Sequence, residues 1–169
     1  MPEDKLMELI KVAIQMEIDG RDFYSKNAAK IPTEIGRTMF ERFAKDENIH
    51  IGLFTKIFIK AIGHKELITI MKARKKYLDL PIFPKELKKI DWANPDRYEL
   101  DALHTAMNAE MDAIKYYSRI QKSTEDQLII KIVEEIIGHE KTHYSILNWQ
   151  FSYLSQTGHW DEITYFEER

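Results

Sequence analysis

Residues 46–50 read Asp46-Glu47-Asn48-Ile49-His50, and the Glu-x-x-His step inside them decides how the rest of the chain is read. On an α-helix, positions three apart lie on one face, one turn above the other, so a carboxylate and an imidazole at this spacing can grip one metal site. Glu and His co-occur on helices by chance, so the step takes its meaning from its neighbours. Phe40, Phe43, Phe54 and Ile57 continue the stripe of Glu47 and His50 in steps of three and four. The acid and the imidazole therefore sit on the face that should be buried. A buried carboxylate without a partner is expensive, so something has to compensate Glu47.

The step returns at Glu140-Lys141-Thr142-His143, on the stripe Val133, Ile136, Leu147, at an offset of 93 residues. The same offset carries Glu17 onto Glu110. Around these two, EIDGRDFYSK aligns with EMDAIKYYSR, with Glu17/Glu110, Asp19/Asp112, Tyr24/Tyr117 and Ser25/Ser118 identical. The chain reads as two copies of a helical hairpin. Each copy has one lone Glu on its first helix and one Glu-x-x-His on its second.

Composition narrows the chemistry. The 169 residues suffice for one domain with a sizeable core, and 44% hydrophobic with 31% charged residues fits a soluble globular protein. A formal net charge of −3 gives no reason to expect nucleic acid. With no cysteine there is no disulfide, zinc ribbon, rubredoxin-type iron site or thiol chemistry in these residues. Any metal has to be held through oxygen and nitrogen, which favours iron, manganese or zinc. No apolar signal core and no run of about 18 apolar residues occurs, so no membrane association and a cytoplasmic location are expected.

Helix one is expected over 4–29, with the inner stripe Leu6, Ile10, Ala13, Glu17, Gly20, Tyr24. Pro32 breaks it, and Thr33 is placed to cap helix two, expected over 34–62 with Gly63 as its stop. The midpoint of 17 and 47 is the proline, so folding there sets Glu17 and Glu47 at one height, roughly 22 Å from the turn. Residues 63–94 carry Pro81 and Pro84 and a basic stretch, Lys72, Arg74, Lys75 and Lys76, read as a solvated face. A short helix is an option for Glu66 to Tyr77, and the segment as a whole is read as a crossover between hairpin 4–62 and hairpin 95–154. Asn94-Pro95-Asp96 starts helix three, whose stripe is Leu103, Met107, Glu110, Ile114, Tyr117. Thr124 with Gln127 resembles a capping box for a fourth helix over 125–154. The midpoint of 110 and 140 falls in that turn. The tail, 155–169, is aromatic and acidic, and can pack across the bundle or across a subunit contact.

Two hairpins joined by a crossover make an all-α four-helix bundle with an approximate two-fold axis. Glu17, Glu47, Glu110 and Glu140 then meet at one level, flanked by His50 and His143. Four carboxylates carry −4 and two divalent ions +4, so the site is neutral only with both metals; without them some carboxylates would have to take up protons. By reach, Glu47 and Glu140 bridge both ions, Glu17 and Glu110 are terminal, and each His completes one metal. Asp46 and Asp112 are candidates to accept the outer N–H of a ligand histidine. Tyr24 and Tyr117, two turns beyond the lone glutamates, are candidates to hydrogen-bond ligand carboxylates or supply a proton; as core tyrosines they need only a satisfied hydroxyl. His139, His64, His104 and His159 fall outside the six-residue pattern and are read as structural or exposed. A single buried Glu is ordinarily a salt-bridge partner. Six such residues at matching offsets and heights are not explained that way.

This set resembles the ferritin-like di-iron carboxylate proteins, most closely the rubrerythrin branch, over nearly the whole chain. The resemblance implies a ferritin-like bundle with a long crossover, a di-iron centre liganded by Glu17, Glu47, His50, Glu110, Glu140 and His143, often a homodimer, and chemistry with hydrogen peroxide or dioxygen. Two departures stand out. Rubrerythrins proper carry a cysteine-rich rubredoxin domain, absent here, so an external electron donor is implied. They also tend to carry a further Glu one turn after the third-helix ligand, where this chain has Ala113. The expectation is a peroxidase-like or oxidase-like oxidoreductase. The other readings are an iron-binding, buffering protein without turnover, and an interaction module that keeps the metal for stability.

Overall fold

Four helices account for the apolar stripes: α1 (Glu3–Ala28), α2 (Glu34–Ile62), α3 (Tyr98–Gln121) and α4 (Gln127–Thr157). They are seen in a computed structural model that describes residues 3–62 and 98–162, with the side chains of 5–60 and 98–162. The described residues contain no strand. The expected crossover, its basic stretch, His64, the Gly63 stop and the Asn94-Pro95-Asp96 start lie outside them, as does the end of the tail. The all-α four-helix bundle is as the sequence implied. α1 packs along α2 and α3 along α4, while the two hairpins meet more lightly through α1 against α3 and α2 against α4.

The buried side chains form two apolar clusters. One gathers Tyr24, Phe40, Phe43, Leu103, Ala106 and Leu147. The other gathers Ile10, Phe54, Phe58, Tyr117, Ile120 and Ile136. Fully burying a residue such as Phe is worth about 1.5–3 kcal/mol, so these clusters dominate the stability. Their membership gives the topology. Phe58 near the end of α2 and Leu100 near the start of α3 belong to different clusters, so those two ends lie at opposite ends of the bundle. α1 and α3 are antiparallel, and the pseudo-two-fold axis crosses the bundle at its middle. Positions 17, 47, 110 and 140 fall between the two clusters.

The turns show how the hairpins close. The α1 end is tied by Ile31 N–H to Asn27 O (3.1 Å), and Ile31 plugs the core beneath it, 2% exposed. Pro32 cannot continue the helical ladder. Thr33 does precede α2, and its carbonyl accepts the Arg37 N–H at 3.0 Å. Its hydroxyl, however, is buried with no hydrogen-bond partner among the described residues, so it makes no side-chain cap. The second turn also departs from expectation. The cap of α4 is Asp126, not Thr124: its carboxylate accepts from Leu128 N (2.9 Å) and Ile129 N (3.3 Å). An anion accepting two N–H groups at the positive end of a helix outcompetes a neutral hydroxyl. Thr124 Oγ1 instead accepts the Asp126 N–H at 3.1 Å. α4 therefore starts at Gln127, and it runs on to Thr157, where Gly158 (φ 81°) takes the left-handed conformation that ends it.

After Gly158 the chain returns to its own bundle. Asp161 N–H donates to Gln150 Oε1 and Gln150 Nε2 to Asp161 O, both at 3.1 Å, and Trp149 Nε1 donates to Asp161 Oδ2. Trp160 is thereby pressed onto Gly36 at the start of α2. A Cβ at Gly36 would lie 2.6 Å from one ring atom of Trp160 and 2.8 Å from Ile31 Cγ2. Alanine is the better helix former by about 1 kcal/mol, but overpacking of this kind costs about 1–3 kcal/mol. Gly36→Ala is expected to lower stability in denaturant melts. In a Trp160→Ala background the same change should cost clearly less, a coupling that a double-mutant cycle reads directly.

Candidate metal centre

The sequence places Glu17 on α1, Glu47 and His50 on α2, Glu110 on α3, and Glu140 and His143 on α4. The structure brings all six together, each 3% exposed or less. Their donor atoms form two groups of four, within 4.8 Å in each: Glu17, Glu47, His50, Glu140 and Glu47, Glu110, Glu140, His143. Glu47 and Glu140 belong to both groups. The second-helix glutamates thus occupy the shared positions and the lone glutamates the outer ones.

Both imidazoles aim Nδ1 inward. His50 Nδ1 lies 3.1 Å from Glu140 Oε1, 3.3 Å from Glu17 Oε2 and 3.4 Å from Glu47 Oε2. His143 Nδ1 lies 3.2 Å from Glu140 Oε2, 3.5 Å from Glu110 Oε1 and 3.8 Å from Glu47 Oε1. Of the buried atoms here, Glu17 Oε1 has no hydrogen-bond partner, and Glu140 Oε2 and His143 Nδ1 face each other at 3.2 Å as an ion pair without a hydrogen bond. Buried polar atoms are ordinarily satisfied. Buried carboxylate oxygens and ring nitrogens gathered in one layer are the donor set a dication takes, so the residues present fit a metal pair.

The electrostatics say the same. Burial pushes the Glu47 carboxyl well up, helped by the charges of Glu140 and Glu17. Burial and the Glu140 charge raise Glu110 to about 8. Burial also acts against ionisation of Glu140, but the two histidines outweigh it and hold that carboxyl below its ordinary value. His50 and His143 resist the desolvation that would discharge them and stay well up. Glu17 and Glu140 hold His50 there, and Asp46, Glu110 and Glu140 hold His143. Without cations from outside, the cluster holds itself together with protons.

The surrounding groups are arranged crosswise. Tyr24 on α1 donates its hydroxyl to Glu110 on α3, and Tyr117 on α3 hydrogen-bonds Glu17 on α1. Each tyrosine thus serves the glutamate of the other hairpin. Burial first, and the nearby carboxylates second, push both phenols well above 10, so they keep their protons. Tyr24 is wedged edge-on against Phe23, Phe40 and Phe43, and Tyr117 lies 5.1 Å from Phe54, ring to ring.

Of the two aspartates expected to accept an outer histidine N–H, Asp46 does so, 3.2 Å from His143 Nε2. Although half-buried, Asp46 is held below its ordinary value by that histidine. Asp112 does not. It lies two residues from Glu110, about 200° around the helix, and pairs with Lys115 at 3.0 Å on the exposed face. The outer nitrogen of His50 instead meets His139, with Nε2 to Nδ1 at 3.0 Å. His139 is exposed, as read from sequence, yet it is tied to the centre. The signal was present: the 93-residue offset carries Asp46 onto His139, so each is the residue before the shared glutamate. Of the remaining expected bystanders, His104 lies against Asn108 and Phe151, and His159 is exposed. Ala113, where a further carboxylate was considered, is buried in the apolar cluster.

The rubrerythrin family model matches residues 8–150. A hypothetical protein from Pyrococcus furiosus has the same fold: TM-score 0.67 at 24% identity, covering 92% of this chain and 97% of that one. No curated protein matches. The helices and the buried carboxylate–histidine layer are those of a ferritin-like bundle. Among the described residues no helix is long and apolar enough to cross a membrane.

The raised groups fix a pH dependence for the metal-free protein. Glu110, Glu47, His50 and His143 all bind protons more tightly folded than unfolded. Their contribution is present below the ordinary carboxylate and imidazole values and is lost as pH rises through the folded ones, for Glu110 up to about 8. Glu140 has the opposite sign, but its contribution falls away only in acid. The melting temperature of metal-free protein should fall from pH 5 to pH 8. Calorimetry of protein loaded with two divalent ions should show no such fall.

Proposed function

The chain belongs to the rubrerythrin family, and on that premise we propose that it is a non-haem dinuclear metalloprotein, with iron as the metal, that reduces hydrogen peroxide or dioxygen. The observation that carries the reading is the pair of four-residue groups sharing Glu47 and Glu140, with both Nδ1 atoms and the buried oxygens Glu17 Oε1 and Glu140 Oε2, which accept no hydrogen bond, in one layer. Glu17, Glu47 and His50 with Glu140 would hold one ion. Glu110, Glu140 and His143 with Glu47 would hold the other. Two ferrous ions bound there would supply the electrons that convert peroxide to water.

The chain's own residues do the rest. The apolar clusters on either side, with Phe43 and Phe54 at the rim of the layer, exclude bulk water and keep the carboxylate charges strong. Tyr24 Oη and Tyr117 Oη each hold a proton beside the centre and orient a terminal carboxylate. With no cysteine in the chain, re-reduction calls for a donor outside these 169 residues.

Stopped-flow mixing of the ferrous protein with peroxide tests the reading. Rapid oxidation, followed by re-reduction with an added donor and repeated cycles, is expected. Oxidation with mineral build-up would mean iron uptake without turnover, and inertness would mean a structural metal. Tyr24→Phe or Tyr117→Phe should slow oxidation about 10-fold while two ions are still bound. Glu47→Ala and Glu140→Ala should each reduce metal stoichiometry below two per chain.

A further inference from the structure

We propose that Asp46 and His139 are positioning residues that make the two metal positions unequal, the position of Glu110 and His143 binding its ion more tightly than that of Glu17 and His50. The inference rests on the dinuclear reading above and adds a direction to it.

The six carboxylates and imidazoles and the two tyrosines all have identical counterparts in the repeat, while the apolar packing differs, with Phe43 against His143 answered by Ile136. Glu17 answers Glu110, Glu47 answers Glu140, His50 answers His143, and Tyr24 answers Tyr117. Even the crosswise tyrosine bonds occur on both sides. At the residue before each shared glutamate the match fails: one copy has Asp46, the other His139. These are the two groups that touch the outer nitrogens of the ligand histidines.

The geometry sets the consequence. Nδ1 of each histidine faces the carboxylates, so for Nδ1 to ligate, the ring proton has to sit on Nε2 and be donated outward. His143 donates to the Asp46 carboxylate at 3.2 Å, and His50 to the His139 ring nitrogen at 3.0 Å. A carboxylate is the stronger acceptor. It draws the Nε2 proton away and leaves more electron density on Nδ1 of His143. It also places a negative charge near that ion, in a carboxylate that His143 and the more distant charge of Arg42 keep ionised. His139 is a neutral acceptor on the exposed face and does less of both. Outer partners of metal-bound histidines change affinity by about 10–100-fold, so a difference near 10-fold is expected.

Calorimetric titration with Zn(II) at pH 7 tests this, because zinc undergoes no oxidation. The metal-free wild type should take two ions per chain. Two single-position variants then avoid the repulsion between ions that would separate even identical sites. Glu17→Ala keeps the Glu110/His143 position, and Glu110→Ala keeps the Glu17/His50 position. The Kd in Glu17→Ala should be about 10-fold the lower. Adding Asp46→Asn to Glu17→Ala should weaken that Kd about 10-fold, and adding His139→Asp to Glu110→Ala should strengthen the other by a similar factor. Both added changes are at partly or fully exposed positions, where the fold tolerates them. Equal Kd values in the two single-position variants, or no response to His139→Asp and Asp46→Asn, would overturn the inequality and leave the dinuclear reading standing. Fewer than two ions bound by the wild type would overturn both.

Discussion

Four carboxylates share one buried layer, and their mutual repulsion is the constraint on which the rest of the structure depends. Two like charges about 4 Å apart repel by about 4 kcal/mol even at an effective dielectric near 20. That is a large share of a domain's net stability of about 5–15 kcal/mol. The fold cannot hold Glu17, Glu47, Glu110 and Glu140 together unless positive charge joins them. In the metal-free protein that charge comes from protons on Glu47 and Glu110 and from the two imidazoles. A pair of divalent cations balances the same four carboxylates without them. The charge count thus suits a pair of divalent cations.

The layer also fastens the two halves of the molecule. Within each hairpin the helices are in close contact along their length, while between hairpins the packing is lighter. The polar bonds at the centre run the other way. Tyr24 reaches Glu110, Tyr117 reaches Glu17, His143 reaches Asp46 and His50 reaches His139, each from one hairpin to the other. Tyr24 is held edge-on by Phe23, Phe40 and Phe43 and Tyr117 lies tilted against Phe54, so the tyrosine bonds have little freedom to rearrange. Positioning the ligands and joining the hairpins are one structural act. The tail adds a second fastening at one end, with Trp160 laid over Gly36 and held by the Gln150–Asp161 bonds.

Near-symmetry makes the mismatch behind the histidines informative. A repeat with an offset of 93 residues reproduces the four glutamates, the two histidines and the two tyrosines, and departs at Asp46 and His139. At Ala113 the chain likewise has a methyl group in the apolar cluster, so no additional carboxylate competes with Glu110 from the next turn of α3. Among the polar groups of the layer, the two halves differ in what stands behind each histidine.

The sequence by itself determined the four helices of the described residues, the face each one buries and the six residues that meet. These follow from the 3.6-residue period and from chain length on either side of Pro32 and of the turn near residue 125, which are local quantities. It did not determine what lies opposite a side chain on another helix, because that depends on how the helices are rotated and paired. Tertiary structure alone decided that each tyrosine serves the other hairpin's glutamate, that His139 rather than Asp112 stands behind His50, and that Trp160 packs onto Gly36 of α2. The choice of Asp126 over Thr124 as a cap is a different case. There two legible local signals competed, and the carboxylate won because it accepts two N–H groups where the helix dipole favours negative charge.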